Sequence, residues 1–98
     1  MIYEHAILHI TPGREGEFEA AFVIAEPLIA SIPGFIGVDL SRSLEHPSDY
    51  LFLVRWARLE DHVEGFRGSP QYVEWKRLLH HFYEPMPDVG HFGPVTPG

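Results

Sequence analysis

Between Tyr50 and Ala57 the chain sets Tyr50, Phe52, Val54 and Trp56 against Leu51, Leu53 and Ala57, with only Arg55 interrupting. Successive side chains of a strand point to opposite faces, so this strand is apolar above and below. No other feature restricts the fold as strongly, because the sheet that holds it must be covered on both sides. Helices can roof one face. The other would be wet in an ordinary antiparallel sheet, and here it must meet something apolar.

The flanking sequence supplies the rest of the sheet and its roof. Ile2–Ile10 reads as a first strand, with Ile2, Ala6, Leu8 and Ile10 on one face and Tyr3, His5, Ile7 and His9 on the other. Thr11 is expected to cap a helix that starts at Pro12 and runs to about Ser31. Phe18, Ala21, Phe22, Ala25, Leu28, Ile29 and Ile32 form its apolar stripe, and Pro27 should kink or end its last turn. Pro33-Gly34 turns the chain into a second strand, about Phe35–Ser43. A polar hairpin loop, Glu45 to Asp49, leads to the strand at Tyr50. Leu59–Phe66 reads as a short helix. Ser69 then caps another, with Pro70 first and Tyr72, Trp75, Leu79 and Phe82 on one stripe. Pro85 and Pro87 end it. A short last strand falls within Asp88–Val95, and Pro94 and Pro97 mark an edge or a tail.

The order β-α-β-β-α-β is the split βαβ arrangement of ferredoxin-like α+β folds. It predicts one domain over residues 1–98, a four-stranded antiparallel sheet with its helices on one face. The simplest cover for the other face is a second copy of the chain, a two-fold homodimer burying sheet on sheet.

Composition removes several functions. Seven basic against fourteen acidic side chains leave a formal charge of −7, unsuited to nucleic acid or an anionic membrane. There is no cysteine, hence no thiolate nucleophile, thiolate zinc site or iron–sulfur ligation. That absence fits a reducing, cytoplasmic setting. No apolar run approaches the roughly 20 residues of a membrane helix, and Met1 to His5 does not open like a signal peptide.

Four segments carry a family resemblance. They are Ile10-Thr11-Pro12-Gly13-Arg14-Glu15-Gly16-Glu17-Phe18, Ile32-Pro33-Gly34-Phe35-Ile36-Gly37-Val38, Val54-Arg55-Trp56 leading to Leu59-Glu60-Asp61-His62, and Phe66-Arg67-Gly68-Ser69-Pro70-Gln71-Tyr72 followed by Trp75. In this order and spacing the chain resembles the antibiotic biosynthesis monooxygenase-like group of dimeric α+β barrel proteins. The resemblance implies a mostly apolar cavity between sheet and helices. It also implies a monooxygenase that needs no cofactor and acts with dioxygen on a small electron-rich aromatic, a phenol or quinol. The alternative is a non-catalytic dimer of the same fold that binds a small apolar molecule. Haem degradation is disfavoured: the places where that branch has an asparagine, a tryptophan and a proximal histidine hold His5, Phe66 and Lys76. The phenol-oxidising branch also uses an asparagine, and this chain has none.

The candidate residues follow from that resemblance. His5, mid-strand, is expected to face the cavity as the base, since its ordinary pKa suits removal of a phenol proton. Its bland alternative is a half-buried histidine bonded to a neighbour. Phe66, Tyr72 and Trp75 would stack on a planar substrate, or form ordinary core. His62 could border the cavity mouth, or be exposed. Of the adjacent pair His80-His81 at most one can face the cavity, because neighbours on a helix diverge by about 100°; His81 is the candidate. Arg55 could hold a substrate oxyanion, although a salt bridge with Asp39 in a dimer interface is preferred. No metal site is expected; His5 and His9 lie roughly 13 Å apart along a strand.

Overall fold

The computed structural model describes residues 1–96. Its elements are β1 (Ile2–His9), α1 (Glu15–Ala30), β2 (Phe35–Arg42), β3 (Asp49–Trp56), a π-helical turn (Asp61–Phe66), α2 (Pro70–Leu79), a 3-10 turn (His80–Phe82) and β4 (Gly90–Phe92). The strands form one antiparallel sheet in the order β2-β3-β1-β4. This is the ferredoxin-like α+β fold, with the helices over one face. Among the described residues no helix is long and apolar enough to cross a membrane.

The doubly apolar β3 lies inside the sheet, hydrogen-bonded to β1 and β2. Tyr50, Phe52, Val54 and Trp56 turn to the helices and are buried, with Val54 and Trp56 at 0% exposure. From α1, Phe18, Phe22, Ala25 and Ile29 pack onto them, and from α2, Trp75 and Leu79. The stripes read from three- and four-residue spacing are therefore the faces that close the core.

Local boundaries differ where backbone chemistry overrides the pattern. Thr11 does not cap α1: Gly13 takes a positive φ of 92° and ends the approach in a turn, so the helix begins at Glu15. The Thr11 hydroxyl instead donates to the Phe82 carbonyl. Pro27 does not end α1, which continues to Ala30. Lying in the last turn, it removes a single N–H, the one that would reach Val23. Ser69 does cap α2, its hydroxyl accepting from the Tyr72 N–H at 3.2 Å, with Pro70 first in the helix. β4 is shorter than the Asp88–Val95 segment suggested, and Pro97 lies outside the described residues.

Asp61–Phe66 winds as a π-helix rather than an α-helix. Such wide turns are rare and concentrate at functional sites. Here both His62 and Phe66, four residues apart, turn inward and are buried. Gly34, at φ 92°, lets the β2 turn pass under it: a Cβ there would come within 2.1 Å of the Asp61 carboxylate.

Candidate active site

β1 contributes one charged residue to the helix-covered face. Its buried alternation is Glu4, Ala6, Leu8, then Ile10, so Glu4 sits under the helices with 5% exposure. A carboxylate there must be hydrogen-bonded or neutral. Trp56, diagonal to it on β3, donates its indole N–H to Glu4 Oε1 at 3.0 Å. The His62 ring stacks on that indole, with centroids 5.7 Å apart and planes 22° apart. Its Nε2 stands 3.4 Å from Glu4 Oε2, and its Nδ1 is 2.8 Å from Nε2 of His91. His91 is directly opposite Glu4 in the β1–β4 register. Four separate elements thus bring Glu4, Trp56, His62 and His91 together.

Glu4 and His62 of this cluster line a cavity of about 60 Å³ between sheet and helices. Phe22, Phe52, Phe66, Tyr72, Trp75 and Leu79 form most of its apolar wall. Rings meet edge to face around it, Phe66 with Tyr72 at 5.1 Å and with Trp75 at 5.5 Å. Tyr83 and the segment Met86, Pro87 and Val89, which has no regular secondary structure, close another side. Arg67, just past the π turn, and His80, just past α2, are its further polar groups.

Desolvation dominates the electrostatics. Burial pushes the Glu4 carboxyl up to about 7, against the Trp56 bond and the Arg67 charge, which both favour the anion. Burial pulls His62 down to about 3, assisted by Arg67 and His91. His91 is lowered by burial and then Arg67, His80 by burial and then Lys76. Burial raises the Tyr83 phenol far above its ordinary value. Near neutrality the cavity therefore holds a carboxyl poised between its two forms, beside a neutral imidazole. Such a pair can accept a proton or return one.

The sequence candidates divide between the two faces. Phe66, Tyr72, Trp75 and His62 line the cavity, and His62 is 2% exposed rather than on the surface. His5 does not line this cavity. Strand alternation points it to the opposite face, where its ring meets Phe92 edge to face at 5.7 Å; the cavity-facing neighbour is Glu4. Arg55 is also on that opposite face, paired with Asp39 at 2.6 Å, and a Cβ at Gly37 would collide with its guanidinium. His81 is exposed, its ring tilted against Phe82 with centroids 4.2 Å apart, while His80 reaches the cavity. Sequence reasoning missed Glu4, Arg67 and His91. For Glu4 a signal existed, a lone carboxylate within the apolar alternation of β1. His91 becomes relevant only through β4 pairing, which its three residues do not announce. Among the described residues no group of three or more acidic or histidine side chains is arranged to hold a metal ion.

Residues 1–78 match the sequence model of the antibiotic biosynthesis monooxygenases. The chain belongs to that family. It is similar to the uncharacterized protein YczJ of Bacillus subtilis, 54% identical over 95 residues, covering 97% of this chain and all of that protein. Among solved structures, a Bordetella bronchiseptica protein assigned to the antibiotic biosynthesis monooxygenases superposes with a TM-score of 0.91 at 37% identity, over 97% of each chain. SnoaB, a cofactor-independent oxygenase from Streptomyces nogalater, gives a TM-score of 0.82 at 17% identity, over 98% of this chain and 94% of its own. At that identity the likeness is one of fold.

Proposed function

We propose that the chain is a cofactor-independent monooxygenase whose substrate is a small electron-rich aromatic, an anthrone or quinol, with Glu4 as the base. The observation that carries this reading is the Glu4 carboxyl buried in an aromatic-walled cavity, where desolvation pushes it up to about 7. An acidic phenol or its keto tautomer gives a proton to ionised Glu4. The resulting anion is electron-rich enough to react with dioxygen directly. For an anthrone, the ring CH₂ becomes a carbonyl, one oxygen atom stays on carbon and the other leaves as water. The substrate supplies all four electrons, and the proton lent to Glu4 returns to that water. The protein contributes a dry pocket, a base and rings that hold the substrate plane.

A cavity of about 60 Å³ is well below the roughly 300 Å³ of small drug-sized sites. In this reading the substrate enters by displacing the Met86–Val89 wall. The open sheet face, with Ile7, Leu51, Leu53 and Phe92, is covered by a second copy, and the dimer works in the reducing cytoplasm.

Oxygen uptake by metal-stripped protein over a panel of anthrones and quinols tests the proposal. Turnover is expected. Glu4→Gln should lower kcat about a hundredfold or more, and His5→Gln, on the other face, by no more than about threefold. Uptake indifferent to Glu4→Gln overturns the assignment of the base. No uptake across the panel, with ligand-induced stabilisation, favours the non-catalytic binder instead.

A further inference from the structure

The base of a dry cavity needs a route for its proton. We infer that Glu4, His62 and His91 form a proton relay from the cavity floor to the sheet edge, with His91 as its outlet to water. The inference deepens the reading of Glu4 as the base.

Three placements support it. Glu4 is buried, so water does not reach its carboxyl freely. His62 is also buried, and its two ring nitrogens face different partners, Glu4 Oε2 at 3.4 Å and His91 Nε2 at 2.8 Å. His91 belongs to the edge strand β4 and is exposed. An imidazole bonded at both nitrogens passes a proton by gaining one at one side and losing one at the other. The Glu4–His62 gap is longer than a normal hydrogen bond and must close by a few tenths of an ångström for transfer.

The array has two proton arrangements. In one, protonated Glu4 donates to His62 Nε2, His62 Nδ1–H donates to His91 Nε2, and His91 carries its proton on Nδ1. In the other, ionised Glu4 accepts from His62 Nε2–H, and His91 Nε2–H donates to His62 Nδ1. Conversion of the first to the second moves three protons one place each. One proton leaves Glu4 and one reaches water from His91 Nδ1, with both rings neutral before and after. The reverse conversion brings a proton back, which suits a reaction that borrows one and returns it.

The charged and titratable groups that line the cavity beside Glu4 and His62 are Arg67 beyond the π turn, Tyr72 on α2, His80 after it, and Tyr83 after the 3-10 turn. Arg67 disfavours a positive charge on His62 and on His91. It therefore steers transfer toward tautomer exchange rather than a stable imidazolium. Trp56 fixes the start by holding Glu4 Oε1, leaving Oε2 for His62.

Two-bond ¹H–¹⁵N spectra of the intact protein, from pH 6 to 9, test this without any substrate. His62 is expected to change from Nδ1–H to Nε2–H as Glu4 ionises, and His91 to change with it at the same midpoint. In Glu4→Gln both histidines should lose that transition. His91→Phe fills the same place without ring nitrogens. It should slow exchange of the His62 ring proton with water at least tenfold, with recovery on adding free imidazole. A His62 that keeps one tautomer throughout overturns the relay, as does exchange unaffected by His91→Phe. A working relay in a protein that consumes no oxygen would sink the oxygenase reading and leave this inference standing.

Discussion

The two faces of the sheet come from the same strands, residue by residue, yet they do different things to polar groups. On the helix-covered face Glu4 and His62 are desolvated, and their protonation moves far from ordinary values. On the open face Arg55 finds Asp39 at 2.6 Å, and His9 finds Asp49 at 2.7 Å, in partly exposed pairs. Both faces are apolar in composition. The difference is the roof: α1, the π turn and α2 exclude water from one side, so a carboxyl there keeps its proton to higher pH. The pairs outside stay in contact with water and are worth under about 1 kcal/mol each.

That contrast can be broken most severely through Glu4. Its pKa is raised from 4.5 to about 7, so the folded state holds a proton that the unfolded chain releases. The stability this gives is complete below pH 4.5 and is lost as pH rises through 7, by about 3 kcal/mol in all. Relative to Glu4→Gln, whose amide cannot ionise, the wild type should lose that much between pH 4.5 and 7 in denaturant titrations. His62 works in the opposite sense. With its pKa depressed to about 3, its contribution is present above pH 6.5 and fades as pH falls toward 3. It is common to both proteins and largely cancels in their difference.

For the open face, Leu53→Asp puts a charge at the centre of the proposed sheet-to-sheet contact. The dimer dissociation constant should rise about a hundredfold in sedimentation equilibrium, with the monomer fold retained by circular dichroism. An unchanged constant would show that the second copy sits elsewhere. A smaller effect is expected from Trp56→Phe, which keeps an aromatic ring but deletes the indole N–H bonded to Glu4. It should lower stability by about 2 kcal/mol and raise the Glu4 pKa further, so the loss is larger at pH 8 than at pH 4.5. Smallest of all, His9→Ala removes an exposed partner of Asp49 and should change thermal stability by less than about 0.5 kcal/mol.

Much of this was legible because hydrophobic spacing is a local signal. The element order, the stripes of α1 and α2, the Ser69-Pro70 start and the Arg55–Asp39 pairing all follow from neighbours along the chain or across a hairpin. The aromatic wall of Phe66, Tyr72 and Trp75 was legible for the same reason. The buried carboxyl of Glu4 was less legible. Alternation sets His5 apart from Ala6 and Leu8 and places Glu4, one residue earlier, on their face. Glutamate has an unsuitable pKa until burial changes it, and burial of Glu4 depends on a helix more than fifty residues away. The link from His62 to His91 rests on β4, a three-residue strand whose pairing no periodicity predicts.

The chemistry of the cavity turns on the Glu4 carboxyl, buried under the helices. A ¹³C titration of the Glu4 side-chain carboxyl in the intact protein measures its pKa directly. A midpoint near 7 is expected, and a midpoint near 4.5 would mean that burial does not hold the proton there.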